Sequence, residues 1–449
     1  MSRSLRLAFA YLLAQTGAAA AASFDCAKAG DAVEQRICAN GDVSKLDSYL
    51  GDVYAQASAS ATIDKAKLQR DQANWIAERD DAVWALIASG LAKDADQTLQ
   101  DSYQMRIDFL RGLLGRGPAL SAQAKWLRDR IVAMGADPGD SCLDTLAKSD
   151  AHIVLAKAAG SIDTRNFPAG LPFRVAPELA DSVRSGLGDS PFTAALLRLQ
   201  RPAIGVIYSL QGTANCEVDL AFAFDAAGVA HPIPTPTPWE NSCWHIRNRL
   251  MAIDGTAVAL SERAGAYSLD YSLQAWDGKD WSDESRLLVR RDVALKVGAA
   301  YCAEGDCAPA AALALRHARA YARRPVPGAL DSGVSDAEKS TFAQMRALAE
   351  HDAGVAKLPR PRAQPTDKGW WPGMDGYDKE ASFFPAHLQG ELVLGRIGHN
   401  HMGWRTGDDW LVSYWRLHSG KLEPVAGVPV EVSSGPLLFA APMPVEDRD

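Results

Sequence analysis

Hydrophobic and polar positions change their spacing twice along the chain. From Ser23 to about Gly117 the buried-type residues recur at helical intervals. Leu46, Leu50, Val53, Tyr54 and Ala57 form one set; Leu68, Gln72, Trp75, Ile76, Arg79 and Val83 a second; Leu99, Tyr103, Arg106, Ile107 and Leu110 a third. Steps of three and four place each set on one face of an amphipathic helix. Short polar joints between the sets favour antiparallel neighbours in a small bundle over residues 23–117. After the break at Gly115–Pro118, Ser121–Met134 predicts a further helix, and residues 118–200 read as a mixed helical connector interrupted by Asn166-Phe167-Pro168 and Pro172.

From about Pro202 the pattern shortens. Ala203–Leu210, Cys216–Phe224, Arg249–Ile253, Ala257–Leu260, Tyr267–Trp276 and Arg286–Val289 have strand character, with turn residues at Gly212, Gly228, Asp254-Gly255 and Asp277-Gly278 between them. Such spacing predicts antiparallel hairpins, arranged as a sandwich or curled sheet, with a propeller as the lesser option. Two helices interrupt the 201–357 region: an Ala-rich one over Ala308–Arg324, and one opened by Ser335-Asp336-Ala337-Glu338, a capping box. Residues 358–369 read as a Pro-rich linker. Residues 370–449 return to strands at Leu388–Leu394, Trp410–Trp415 and Val428–Val432. The expected class is α+β: a small antiparallel helical bundle followed by a mostly antiparallel β region with interposed helices.

The first 22 residues stand apart. Arg3 and Arg6 precede the apolar run Leu7–Ala14, and Ala20-Ala21-Ala22 before Ser23 fits a small-residue cleavage site. The run is shorter than the ~20 apolar residues needed to span a bilayer. The expectation is a signal peptide, a periplasmic or secreted mature chain, and no membrane span after cleavage. A formal net charge of −8 argues against nucleic acid as partner, since binding it needs clustered Lys and Arg. In an oxidising compartment the cysteines are expected to pair with near neighbours: Cys26 with Cys38, Cys216 with Cys243, and Cys302 with Cys307, leaving Cys142 over. Free buried thiols are the alternative.

The helical segment also resembles the N-terminal domain of the LprI-type lysozyme-inhibitor family. The resemblance rests on Phe24-Asp25-Cys26-Ala27-Lys28 with Val33-Glu34 and Ile37-Cys38, on Leu46-Asp47, Leu50 and Tyr54, on Gln72, Trp75, Arg79 and Asp80, and on Tyr103, Arg106, Ile107 and Leu110. It covers about residues 24–112. It implies an exported helical domain that opens on a disulfide, and a basic lysozyme or another envelope protein as partner. It also makes Asp47, Tyr54, Gln72, Trp75, Arg79, Tyr103 and Arg106 motif residues, serving either the fold or a partner contact. A second cysteine pair frequent in the family is absent here, its places held by Val83 and Thr98. Arg79 is expected to pair with Asp47 or to stack on an aromatic ring.

Elsewhere the chemistry is sparse. Trp370, Trp371, Tyr377, Phe383 and Phe384, beside Asp375 and Asp378, form an aromatic-rich stretch that either plugs the core where the second helix meets the last sheet or offers a candidate glycan contact at Trp370, Trp371 and Tyr377, with peptidoglycan the natural ligand in the envelope. His399 and His401 with Asp408 or Asp409 are the best metal candidates, yet flanking glycines favour a turn with exposed histidines, and no metal site is expected. Arg316, His317, Arg319, Arg323 and Arg324 read as a solvated basic face, with contact to an anionic glycan or lipid as the lesser alternative. The chain has no G-x-S-x-G elbow, Walker A motif, H-E-x-x-H or dinucleotide fingerprint. The reading is therefore a non-enzymatic envelope binding protein without cofactors. The alternative is a peptidoglycan- or carbohydrate-acting enzyme, or a glycan-binding protein, using the C-terminal β region.

Overall fold

The computed structural model describes residues 23–29, 32–88, 91–135, 142–162, 167–187, 191–199, 203–211, 216–239, 246–264, 268–303, 305–323, 335–351, 382–399 and 409–445. The expected leader, the linker, the candidate glycan contact at Trp370, Trp371 and Tyr377, and the candidate metal residues His401 and Asp408 lie outside them. So do the side chains of His399 and Asp409, and the proposed Cys216–Cys243 bridge.

Four helices form the N-terminal bundle: α1 (Ala32–Ala39), α2 (Gly41–Ala59), α3 (Lys65–Ala88) and α4 (Ala92–Leu113). Their starts follow capping chemistry. The Asn40 side chain accepts from the backbone N–H groups of Asp42 and Val43, and Asp64 accepts from Ala66 and Lys67, satisfying donors that a helix start leaves unpaired. The Cys26–Cys38 disulfide ties the entry of the chain to the end of α1. Ile37, Leu50, Val53, Leu68, Leu99, Tyr103 and Ile107, from the three periodic sets and α1, meet in one fully buried core. These are the amphipathic faces expected from the spacing.

A long, mostly antiparallel sheet carries the bundle. Its strand order is β1 (Ile153–Leu155), β8 (Ile246–Ile253), β9 (Thr256–Ala264), β10 (Ser268–Ala275), β11 (Ser285–Val297), β16 (Lys421–Met443), β15 (Asp409–His418), β14 (Glu391–His399) and β13 (Ser382–Leu388), with β12 (Tyr301–Cys302) added at β16. Strands β11 and β16 form its spine. Register shifts between Arg290 and Val293 divide that spine in two, as a bulge does when it bends a ladder. Before the shift, Leu287 and Val289 face a core made with α5 (Ala122–Met134) and α6 (Cys142–Ser149), while Leu288 joins the bundle core. A period of two thus sets helices against both faces of one strand. Beyond the shift, Val293, Leu295 and Val297 pack with α8 (Ala308–Arg323) and strands β13–β16.

The segment expected to be a mixed helical connector carries strands between its helices. Besides α5, α6 and α7 (Pro177–Leu187) it contains β1, β2 (Lys157–Ile162), β3 (Arg174–Val175) and β4 (Phe192–Leu197). Strand β1 belongs to the long sheet; β2, β3 and β4 build a second sheet with β5 (Ile204–Gln211), β6 (Cys216–Phe224) and β7 (Val229–Pro232), ordered β2-β4-β5-β6-β7-β3. One face of it packs on Leu250, Ala252, Ala257 and Ala259 of the long sheet, and α7 covers the other. A sandwich with helical covers, not a propeller, is the result. The run Leu388–Leu394, expected as one strand, is instead a hairpin: Gln389 and Gly390 both adopt positive φ between β13 and β14, the geometry of a two-residue turn. The capping box at Ser335 and Glu338 opens α9 (Asp336–His351) as expected, and Cys302–Cys307 is bridged.

The bundle meets the sheet closely at the end of α4. A Cβ on Gly112 would stand 2.6 Å from the Pro442 carbonyl oxygen, so only a bare α-carbon lets this helix lie on β16. Ala441 and Met443 of that strand complete the bundle core.

Candidate functional site

The charged motif residues fall into two linked groups. In the first, Tyr103 is central. Its hydroxyl donates to Asp47 Oδ1 at 2.8 Å and accepts from Arg79 Nη1 at 2.8 Å. Arg79 Nε and Nη2 donate to Asp80 Oδ1 at 2.8 and 2.6 Å. The backbone N–H of Ser23 donates to the other Asp47 oxygen at 2.5 Å. The Arg79 guanidinium also lies over the Trp75 and Tyr103 rings, 5.0 and 5.4 Å from their centroids. The expected Arg79–Asp47 pairing is therefore relayed through a phenol, and the expected stacking is direct. Burial pushes the Tyr103 pKa upward. Burial disfavours the Arg79 charge, but Asp80, with Tyr103 and Asp47, outweighs it and raises the pKa.

The second group joins the bundle to the sheet. Asp71, on α3, is fully buried. It accepts from Arg106 Nη1 of α4 at 2.6 Å and from Arg290 Nε of β11 at 2.9 Å. Arg290 Nη1 reaches Glu78 at 2.6 Å, and Arg106 Nε reaches Gln72 at 3.0 Å. Burial opposes the Asp71 charge, yet the two guanidinium groups outweigh it and hold the carboxyl below the usual carboxylate range. For Glu78 burial prevails over Arg290, and its pKa is raised. Each arginine keeps one buried nitrogen, Nη2, with no hydrogen-bond partner.

A cavity of about 290 Å³ opens beside this second group, between the bundle and the sheet. Trp75, Met105, Phe109 and Leu288 give it an apolar wall, and Glu78, Arg106 and Arg290 its charged end. Thr98, one of the two places where the family's second cysteine pair is missing, also lines it, whereas Val83 is buried in the bundle core. A wider hollow of about 620 Å³ continues along the seam past Arg263, Asp270 and Arg286.

Of the motif residues, Asp47, Trp75, Arg79, Tyr103 and Arg106 are buried, and Tyr54 and Gln72 are half-buried. They act inside the bundle and at its seam, and a partner approaching from solvent meets other side chains. Asp71, Glu78 and Arg290 were not singled out by the sequence reading. Arg290 carried a signal, since it follows Leu287-Leu288-Val289 in a strand, and a charge there needs a buried counterpart. His317, expected on a solvated face, is buried against the sheet with Nδ1 2.9 Å from the Tyr414 hydroxyl. Its helix packs through Ala310, Leu313, Ala314 and Ala318, and position 317 shares that stripe. Arg316 and Arg319 beside it are exposed.

Among the described residues no group of three His, Cys, Asp or Glu side chains could hold a metal ion. None of their helices is long and apolar enough to cross a membrane. No curated protein and no solved structure matches the chain. A family model does match the bundle that supplies Asp47, Asp71, Arg79 and Arg106: residues 26–112 are similar to the family described as lysozyme inhibitor LprI.

Proposed function

We propose that this is an exported, non-enzymatic binding protein of the bacterial envelope, and that its helical domain binds and inhibits a basic lysozyme-type muramidase. The similarity of residues 26–112 to the lysozyme inhibitor LprI family carries the reading. Two disulfides suit an oxidising compartment, and the expected signal over residues 1–22 supplies the route. Charge supports the partner: residues 23–117 hold fifteen acidic and eleven basic side chains, and opposite charge steers a basic enzyme toward them.

With the motif residues turned inward, the contact falls to the outer face of α2. Asp42, Lys45, Tyr49, Asp52 and Gln56 follow one another at steps of three and four and are all exposed. Tyr49 is 47% exposed, a large aromatic held in water between Lys45 and Asp52 on that face. Aromatic anchors ringed by polar groups carry much of the energy at protein interfaces.

The test is the rate at which a basic lysozyme clears cell-wall suspensions in the presence of the mature protein. Slowing is expected, and it should weaken at least about tenfold in a Tyr49→Ala, Asp52→Lys double variant. No slowing at high molar excess removes the inhibitor role. Undiminished inhibition by the double variant moves the contact off α2.

A further inference from the structure

We propose that the seam between bundle and sheet binds a short peptide with free ends. Its N-terminal ammonium sits at Asp101, the side chain of an apolar first residue fills the smaller cavity, and its C-terminal carboxylate meets Arg263 in the wider hollow. The site uses no residue of the outer face of α2 and does not depend on the muramidase reading.

The two spaces adjoin, because Asp101, Met105, Ser268 and Leu288 line both. In the smaller one, of about 290 Å³, the arginines are already matched by carboxylates: Arg79 by Asp80, Arg106 by Asp71, and Arg290 by Asp71 and Glu78. What it offers a guest is the apolar surface of Trp75, Phe109 and Leu288, on a scale that suits one aromatic or branched side chain. Met105, shared by both spaces, is 37% exposed, a flexible thioether that shapes itself to an apolar guest.

The wider hollow, of about 620 Å³, carries surplus charge of both signs on solvent-exposed side chains. On α4, Asp101 is exposed; its Oδ1 accepts from Gln97 at 2.8 Å, and its Oδ2 has no donor among the described residues. Asp108, two turns along the same helix, adds a second carboxylate to that side, 3.8 Å from Arg111. On β9, Arg263 is exposed and stands opposite Asp270 in the register with β10. Arg286 already engages both oxygens of Asp270, at 2.6 to 3.1 Å. Two arginines thus border one carboxylate, and Arg263 has no ion-pair partner among the described residues. A ligand of one charge suits the helix side or the sheet side and is opposed by the other; a zwitterion suits both. A peptide carries its two charges at the ends of a polar chain, and its carboxylate is the planar two-oxygen group that a guanidinium recognises best. Because Asp101 borders both spaces, an ammonium held there belongs to the residue whose side chain enters the smaller one. Two or three residues, about 7–10 Å when extended, then reach across the hollow.

The experiment is calorimetric titration of the full mature protein with the tripeptide Phe-Gly-Gly, its N-acetyl form, its C-terminal amide, and triglycine. Saturable binding of Phe-Gly-Gly is expected. Each end cap should weaken it by about threefold or more, and triglycine should bind about tenfold or more weakly. Asp101→Asn should erase the penalty for acetylation and Arg263→Gln the penalty for amidation, each leaving the other penalty in place. Both side chains are exposed, so both variants should keep the wild-type circular dichroism and melting profile, and the capped peptides test the same charges on the unaltered protein. No saturable binding of Phe-Gly-Gly at millimolar concentration overturns the site. Equal affinity for the capped peptides, or penalties that persist in the matching variants, overturns the placing of the two ends. Equal affinity for triglycine overturns the role of the smaller cavity.

Discussion

Asp71→Asn is the most informative perturbation of the seam. The wild-type carboxylate is fully buried between Arg106 at 2.6 Å and Arg290 at 2.9 Å. Asparagine preserves the shape but removes the charge. It also replaces one oxygen with an amide nitrogen, which presents a donor to a guanidinium donor. Two buried cations then share Glu78 as their remaining nearby carboxylate, and burial already raises that group's pKa. Breaking a buried ion pair by removing one partner costs about 3–5 kcal/mol. Part of this is recoverable, because Asp71 itself contributes to raising Glu78, and its removal lets Glu78 ionise more readily. A net loss of about 2–4 kcal/mol is expected. The assay is urea unfolding combined with hydrogen exchange of peptides from α3, α4 and β11. Protection should fall in all three together, since the residue bridges two layers. Asp52→Asn, on the exposed face of α2, should change stability by less than about 0.5 kcal/mol. A loss below about 1 kcal/mol for Asp71→Asn, or lost protection confined to α3, would refute the argument that this carboxylate fastens the bundle to the sheet.

Two further outcomes are expected. Tyr103→Phe removes the acceptor of Arg79 Nη1 and the donor to Asp47 in one step. Because both partners are buried, it should cost about 1–3 kcal/mol in urea unfolding, and a change under about 0.5 kcal/mol would show that neither partner depends on the phenol. Burial, with Arg316 nearby, lowers the His317 pKa from 6.5 to about 4. Above pH 6.5 both states are neutral; as pH falls toward 4 only the unfolded chain takes up a proton, so stability declines by up to about 3 kcal/mol and then levels off. His317→Gln should abolish that part of the slope between pH 7 and 4, and superimposable wild-type and variant profiles would exclude it.

The bundle was legible because its signal is local. Steps of three and four name the inner face of α2, α3 and α4 without reference to the rest of the chain, and caps such as Asn40 and Ser335 act within a few residues. The same stripe logic extends to His317, which shares a face with Leu313 and Ala314. The charges of Arg316 and Arg319 on either side mask that stripe in the sequence. The seam was not legible, because Arg290 and Asp71 are separated by 219 positions, and nothing in either neighbourhood names the other. The hairpin at Gln389-Gly390 was missed for a different reason. Glutamine rarely takes positive φ, so the turn lacked the Asn-Gly or Asp-Gly pair that usually marks one, and two strands were read as one. Strands β1 to β4 were hidden by brevity and by the helices between them.

Gly112 sets the bundle down on β16, a strand that lies more than three hundred residues further along. A chain emerging amino end first can coil its four helices and close Cys26 to Cys38 early. Their underside, with Phe109 and the two buried guanidinium partners, has nothing to rest on until β11 and β16 have found each other. Assembly of the molecule is thus stitched end to end, and a truncation near Ala441 would be felt first among helices at the opposite end of the polypeptide.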